Sequence, residues 1–198
     1  MRLGILVSGR GSNLEAVLRG RPRGIEPALV VSNRPDVRAL EVAAAHGVPA
    51  LVLRRADFGG DGSARDAAIG RALTDAGVAL ALLAGYDRML APSFFEAFAG
   101  RTINIHPSLL PAHGGAGMLG LAVHEAVLAA EDAETGVTIH EVTADLDAGH
   151  ILAQVRLPVR ADDDAASLAG RVLAEEHRLL LATLERLASA GLPGGARP

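Results

Sequence analysis

The chain has no cysteine and no tryptophan among its 198 residues. Without thiols there is no disulfide framework, no thiolate nucleophile and no zinc-finger site. Aromatic residues make up only 3%, so the 49% hydrophobic fraction rests on Ala, Leu and Val, which suits a tightly wound α/β arrangement. Basic residues (19) do not outnumber acidic ones (23). The net charge of −4 therefore argues against nucleic acid as the main partner, because phosphate contacts need a basic excess. The opening apolar run, Leu3 to Val7, is too short for a signal-peptide core or a membrane span. These absences predict a soluble cytoplasmic protein with one domain over residues 1–190, followed by a flexible Gly- and Pro-rich tail over 191–198.

What is present is an alternation of short apolar runs and helical patterns. Leu3 to Val7, Ala28 to Val31, Ala50 to Leu53, Val78 to Ala84 and Thr102 to Ile105 have strand length. They are mostly continuous rather than alternating, as expected of parallel strands covered on both faces. Helical patterns fall between them at 13–19, 36–46, 64–76 and 92–99. The second begins after Asn33-Arg34-Pro35-Asp36, a turn and N-cap signal, and ends at Gly47. This rhythm predicts a doubly wound, mostly parallel sheet with helices on both faces. Beyond Pro111, the glycine-rich stretch Ala112 to Gly120 reads as a loop. A helix over 121–130 and strands at Val137 to Val142 and Ile151 to Val159 follow. The last element is an amphipathic helix from Ala165 to Ala188, with Asp162-Asp163-Asp164 as its solvated N-terminal cap.

Several motifs carry chemistry. Ser8-Gly9-Arg10-Gly11-Ser12-Asn13-Leu14 turns from a strand into a helix start, where backbone N–H groups and the helix dipole favour an anion. A dinucleotide fingerprint would need a third glycine where Leu14 stands, so a single phosphate fits better. A plain turn with Ser12 as N-cap is the simpler alternative. Gly85-Tyr86-Asp87-Arg88-Met89-Leu90 closes the fourth strand, either as an ordinary connection or as a wall of a cleft. Asn104-Ile105-His106 ends the fifth strand before Pro107, and positions i and i+2 of a strand project from one face. With Asp147 in Leu146-Asp147-Ala148-Gly149, these supply an amide, an imidazole and a carboxylate. An imidazole can shuttle protons, an amide can hold a developing oxyanion, and a carboxylate can orient and charge the imidazole. His140 is expected to support His106. His113, His124 and His150 show no metal-ligand spacing, so no metal is expected. Glu176 reads either as a surface residue of the last helix or as a ligand for ribose hydroxyls.

Taken together, these motifs resemble the formyltransferases that use 10-formyltetrahydrofolate, from Arg2 to about Leu187. Gly-Ser-Asn at the first turn is similar to the branch of that family acting on glycinamide ribonucleotide in purine biosynthesis. The resemblance implies the formyltransferase fold and a catalytic trio of Asn104, His106 and Asp147. It assigns Gly11, Ser12 and Asn13 to the ribonucleotide phosphate, Gly85 to the substrate amine and Glu176 to the ribose. It assigns Asp87, Arg88, Met89, Leu90 and Asn104 to the folate pterin, together with the loop from Thr143 through Ala144 and Asp145. Arg65 is the nearest match to an arginine that the family has before the third helix. Leu173 stands where a polar residue often assists with phosphate, which leaves that task to the first loop.

The resemblance also implies two small-molecule substrates, no metal, no nucleic acid, no membrane and a monomer or homodimer. Related activities remain as alternatives: an amino-sugar-nucleotide formyltransferase or a formyltetrahydrofolate deformylase. A methionyl-tRNA formyltransferase would be expected to carry a further basic domain, and a deformylase an additional N-terminal one. A non-catalytic nucleotide-binding module is disfavoured because Asn104, His106 and Asp147 are all present.

Overall fold

The computed structural model describes residues 1–143 and 149–190. The expected tail over 191–198, and Ala144, Asp145 and Asp147, lie outside the described residues. Five strands run parallel: β1 (Arg2–Val7), β2 (Glu26–Ser32), β3 (Ala50–Val52), β4 (Leu80–Leu83) and β5 (Arg101–His106). Two more, β6 (Glu134–Glu141) and β7 (Ile151–Pro158), pair antiparallel at one edge. The seven-stranded order is β3-β2-β1-β4-β5-β6-β7. The chain thus winds outward from β1 in one direction and returns at β4 to wind the other way. The carboxyl ends of β1 and β4 diverge at that reversal, where open α/β sheets form a crevice.

The helices are α1 (Ser12–Gly20), α2 (Arg38–Ala45), α3 (Gly62–Asp75), α4 (Pro92–Ala97), α5 (Leu121–Ala129) and α6 (Ala165–Ala190). Alternation along β1 sends Leu3, Ile5 and Val7 into one core with α1, α2, α5 and α6. Leu6 enters a second core with Ile69, Leu73, Phe94 and Phe98 of the α3–α4 side. Gly4 faces that second core because nothing larger fits: a Cβ there would stand 2.4 Å from Leu73 Cδ2. Both faces are therefore sealed, which accounts for the continuous apolar runs in the sequence.

Some boundaries differ from the sequence expectation. α2 is capped at Val37, not Asp36, and has no side-chain cap. The Gly9 carbonyl accepts from Ala39 N at 3.2 Å and so satisfies a donor that a cap would otherwise serve. α1 is entered through Gly11, so Ser12 is its first residue rather than its cap. A 3-10 turn over Arg55–Phe58 had no periodic signature to announce it. At the start of α6, Asp164 accepts from Ser167 N at 2.7 Å as a true cap. Asp163 is not solvated: its side chain is 3% exposed and ion-paired to Arg171. No helix among the described residues is long and apolar enough to cross a membrane.

Candidate active site

Three loops at the carboxyl ends of β1, β4 and β5 meet in one cleft of about 730 Å³. The β1 loop owes its shape to Gly11, whose φ of 75° is left-handed. A Cβ at that position would lie 2.7 Å from Ala39 Cβ and 2.9 Å from its Cα, so α2 can pack only against a bare glycine. Ser8 Oγ then accepts from Asp87 N at 3.0 Å, joining this loop to the one after β4.

Asn13 and Glu176 form one wall of the cleft. Asn13 Nδ2 donates to Glu176 Oε1 at 3.3 Å, while Asn13 Oδ1 is buried without a protein partner. Burial pushes the Glu176 carboxyl up to about 7, with the Asn13 bond pulling the other way. Glu176 is 8% exposed, so it is no surface residue.

On the opposite wall, Tyr86 is buried with an unpartnered hydroxyl, and burial raises its phenol to about 12. Asp87 is partly buried, which opposes ionisation. Even so, bonds from Asn33 and Ser8 and the nearby charges of Arg34 and Arg88 hold its carboxyl below the ordinary value. Asn33 Nδ2 donates to Asp87 Oδ1 at 2.8 Å, and Arg34 pairs with the other oxygen. Asp66 Oδ2 accepts from Ala91 N at 2.9 Å and so fixes the end of the same segment. Met89 stays 57% exposed at the rim, whereas Leu90 is buried.

The floor is β5 and its neighbour. Asn104 and His106 both line the cleft, as their i, i+2 spacing predicts. In the antiparallel register Asn104 lies opposite His140, and His106 lies opposite Thr138. His140 therefore supports Asn104 rather than His106. Its Nδ1 donates to the Glu141 carbonyl at 2.9 Å, and its Nε2 accepts from Asn104 Nδ2 at 3.1 Å. His106 Nε2 meets the His113 carbonyl at 2.8 Å. His124 of α5 also reaches the cleft. Its Nδ1 is buried and unpartnered, and burial, with the charge of His106 nearby, lowers its pKa.

Among the residues singled out from sequence, Gly11, Ser12, Asn13, Gly85, Asp87, Arg88, Met89, Leu90, Asn104, His106, Thr143 and Glu176 all line this cleft. Arg65 does not. It is buried in α3 with both its Nε and an Nη on Asp66 Oδ1, at 2.8 and 2.6 Å, and it borders an adjoining hollow. Sequence reasoning gave Ser8, Asn33 and Asp66 no contact with the 87–91 segment. Those contacts join different elements, and no local pattern signals them. Among the described residues no group of three or more His, Asp or Glu could hold a metal ion.

Comparison with known proteins agrees with the fold. Phosphoribosylglycinamide formyltransferase of Arabidopsis thaliana chloroplasts is 39% identical over 181 residues, covering 90% of this chain and 62% of that protein. The trifunctional purine biosynthetic protein adenosine-3 of Drosophila melanogaster is 40% identical over 181 residues, covering 89% of this chain but 13% of that protein. The chain thus spans less than two thirds of the length of either relative. Glycinamide ribonucleotide transformylase 1 of Symbiobacterium toebii superposes with a TM-score of 0.88 at 38% identity, covering 98% of this chain and 91% of that one. The model of the formyl transferase family matches residues 1–184, and with the sheet order and cleft described above, the chain belongs to that family.

Proposed function

We propose that the protein transfers the formyl group of 10-formyltetrahydrofolate to the amine of glycinamide ribonucleotide, a step of purine biosynthesis. The observation that carries this reading is that a phosphate-type loop, Gly11 to Asn13, opens into the same cleft as Asn104 and His106. The names of the relatives support glycinamide ribonucleotide as the formyl acceptor. In this reading backbone N–H groups at the start of α1, with Ser12 and Asn13, hold the phosphate, and Glu176, held by Asn13 Nδ2, receives the ribose hydroxyls. The segment Asp87 to Leu90 and Thr143, with Ala144 and Asp145, holds the pterin. Arg65, already neutralised by Asp66, contributes at most from the adjoining hollow.

The chemistry follows from the floor of the cleft. Attack of the neutral amine on the formyl carbon places negative charge on the carbonyl oxygen. Asn104, oriented by His140, donates to that oxygen, and loss of such a donor costs about 3–4 kcal/mol in comparable sites. His106 stabilises the same charge and returns a proton to the departing folate nitrogen. Asp147 is assigned, from the resemblance alone, the task of favouring the charged imidazole. Two substrates held side by side need no covalent enzyme intermediate.

The test is an assay with purified protein, 10-formyltetrahydrofolate and glycinamide ribonucleotide. Release of tetrahydrofolate only when the amine is present supports the proposal. Release without it points to a deformylase. No release with this amine but release with an amino-sugar nucleotide overturns the substrate assignment.

A further inference from the structure

The start of the loop after β5 is tightly held. Ser108 Oγ donates to the Ala112 carbonyl at 2.6 Å. Thr138 Oγ1 of β6 donates to the Ser108 carbonyl at 2.7 Å and accepts from Leu110 N at 3.1 Å. Gln154 Nε2 of β7 donates to Thr138 Oγ1 at 2.9 Å and lies 3.2 Å from the Leu110 carbonyl. Beyond Ala112 the contacts with β6 and β7 cease, although Ser108 Oγ also lies 3.4 Å from the His113 carbonyl, a long second contact. His113 has a left-handed φ of 51°, uncommon outside glycine. Its imidazole Nε2 is 2.5 Å from Asp132 Oδ2, in the turn between α5 and β6. Its main-chain carbonyl accepts from His106 Nε2 at 2.8 Å. One residue is thus tied to a distant carboxylate by its side chain while its backbone rests on the imidazole at the end of β5.

We propose that His113 is a positioning residue for His106, and that Asp132 is its anchor. A carbonyl oxygen only accepts, so the hydrogen must sit on His106 Nε2, and in the neutral ring the lone pair is left on Nδ1. A ring fixed in orientation and tautomer presents one defined nitrogen to the reacting atoms, whereas an unrestrained ring divides itself between two tautomers. The glycine-rich stretch after His113 has few side chains that could pack to keep this carbonyl in place. Of the two contacts that hold His113, the Asp132 pair is far shorter than the 3.4 Å approach of Ser108 Oγ, and it is the principal fixture. The inference rests on the proposed role of His106 in proton transfer, but the geometry of the contact stands apart from any substrate.

Three variants and two measurements test it. In Asp132→Asn and His113→Phe, kcat for formyl transfer is expected to fall roughly 10- to 100-fold, as for a small misplacement of a reacting group, with KM for both substrates little changed. His113→Gln places an amide donor near the position of the ring Nε2 and is expected to restore most of kcat. Independently of activity, 15N NMR of the His106 ring at alkaline pH should show the Nε2–H tautomer in the parent protein and a tautomer mixture in Asp132→Asn and His113→Phe. An Nδ1–H tautomer in the parent protein overturns the proposal, as does an unchanged tautomer in both variants. So does a kcat loss that His113→Gln fails to restore. A parent protein without formyl transfer would remove the functional reading alone, because the NMR result would still decide the positioning role.

Discussion

At the floor of the cleft, His106→Ala is expected to leave both ligands bound, as measured by calorimetry, while turnover falls roughly 10²- to 10⁴-fold, the usual contribution of a positioned acid–base group. Full activity in that variant would remove the mechanism. Glu176 makes a different demand. Its carboxyl sits at about 7 in the fold against an ordinary 4.5, so the folded state binds the proton more tightly than the unfolded chain does. Stability of the ligand-free protein should therefore fall as pH rises between those values, by an amount on the order of 3 kcal/mol, and stay low above them. Glu176→Gln should flatten that dependence and raise the unfolding temperature at pH 8. An unchanged pH profile in thermal scans would refute the burial argument. At this scale the sequence was legible where chemistry follows strand period, as in Asn104 and His106. It was opaque where a partner lies far along the chain: Asn13 and Glu176 are 163 residues apart, and no spacing rule joins them.

At the scale of elements, the entry to α1 shows what a loop owes to its neighbours. Gly11→Ala would force a side chain onto Ala39 of α2 at a left-handed φ. The expected result is a loss of about 1–3 kcal/mol in urea unfolding and a raised KM for the ribonucleotide, with kcat much less affected. Equal loss for both substrates would show that the loop serves the whole cleft instead. The strands and major helices could be read from apolar runs and periodicity because both faces of the sheet are covered. The cap of α2 could not, since the Gly9 carbonyl supplies from another element what Asp36 offered locally. The support of Asn104 by His140 depends on the register of an antiparallel pair, which is set by the partner strand rather than by either sequence.

At the scale of the whole molecule, two cores press on one sheet, and the larger depends on the 26-residue α6. Leu180 is fully buried within it, so Leu180→Ala should cost about 2–5 kcal/mol in equilibrium unfolding. A smaller loss would mean that α6 collapses readily onto the gap. That helix packs on α1, α5, β6 and β7, and it delivers Glu176 to Asn13 near the opposite end of the chain. Synthesis runs from the amino terminus, so the Gly11 turn leaves the ribosome long before the residue that completes its side of the cleft. A nascent chain halted before α6 would present half a pocket and an uncovered sheet face. Competence for the ribonucleotide should therefore appear abruptly, with the last helix, and the ligand itself should hold that helix down.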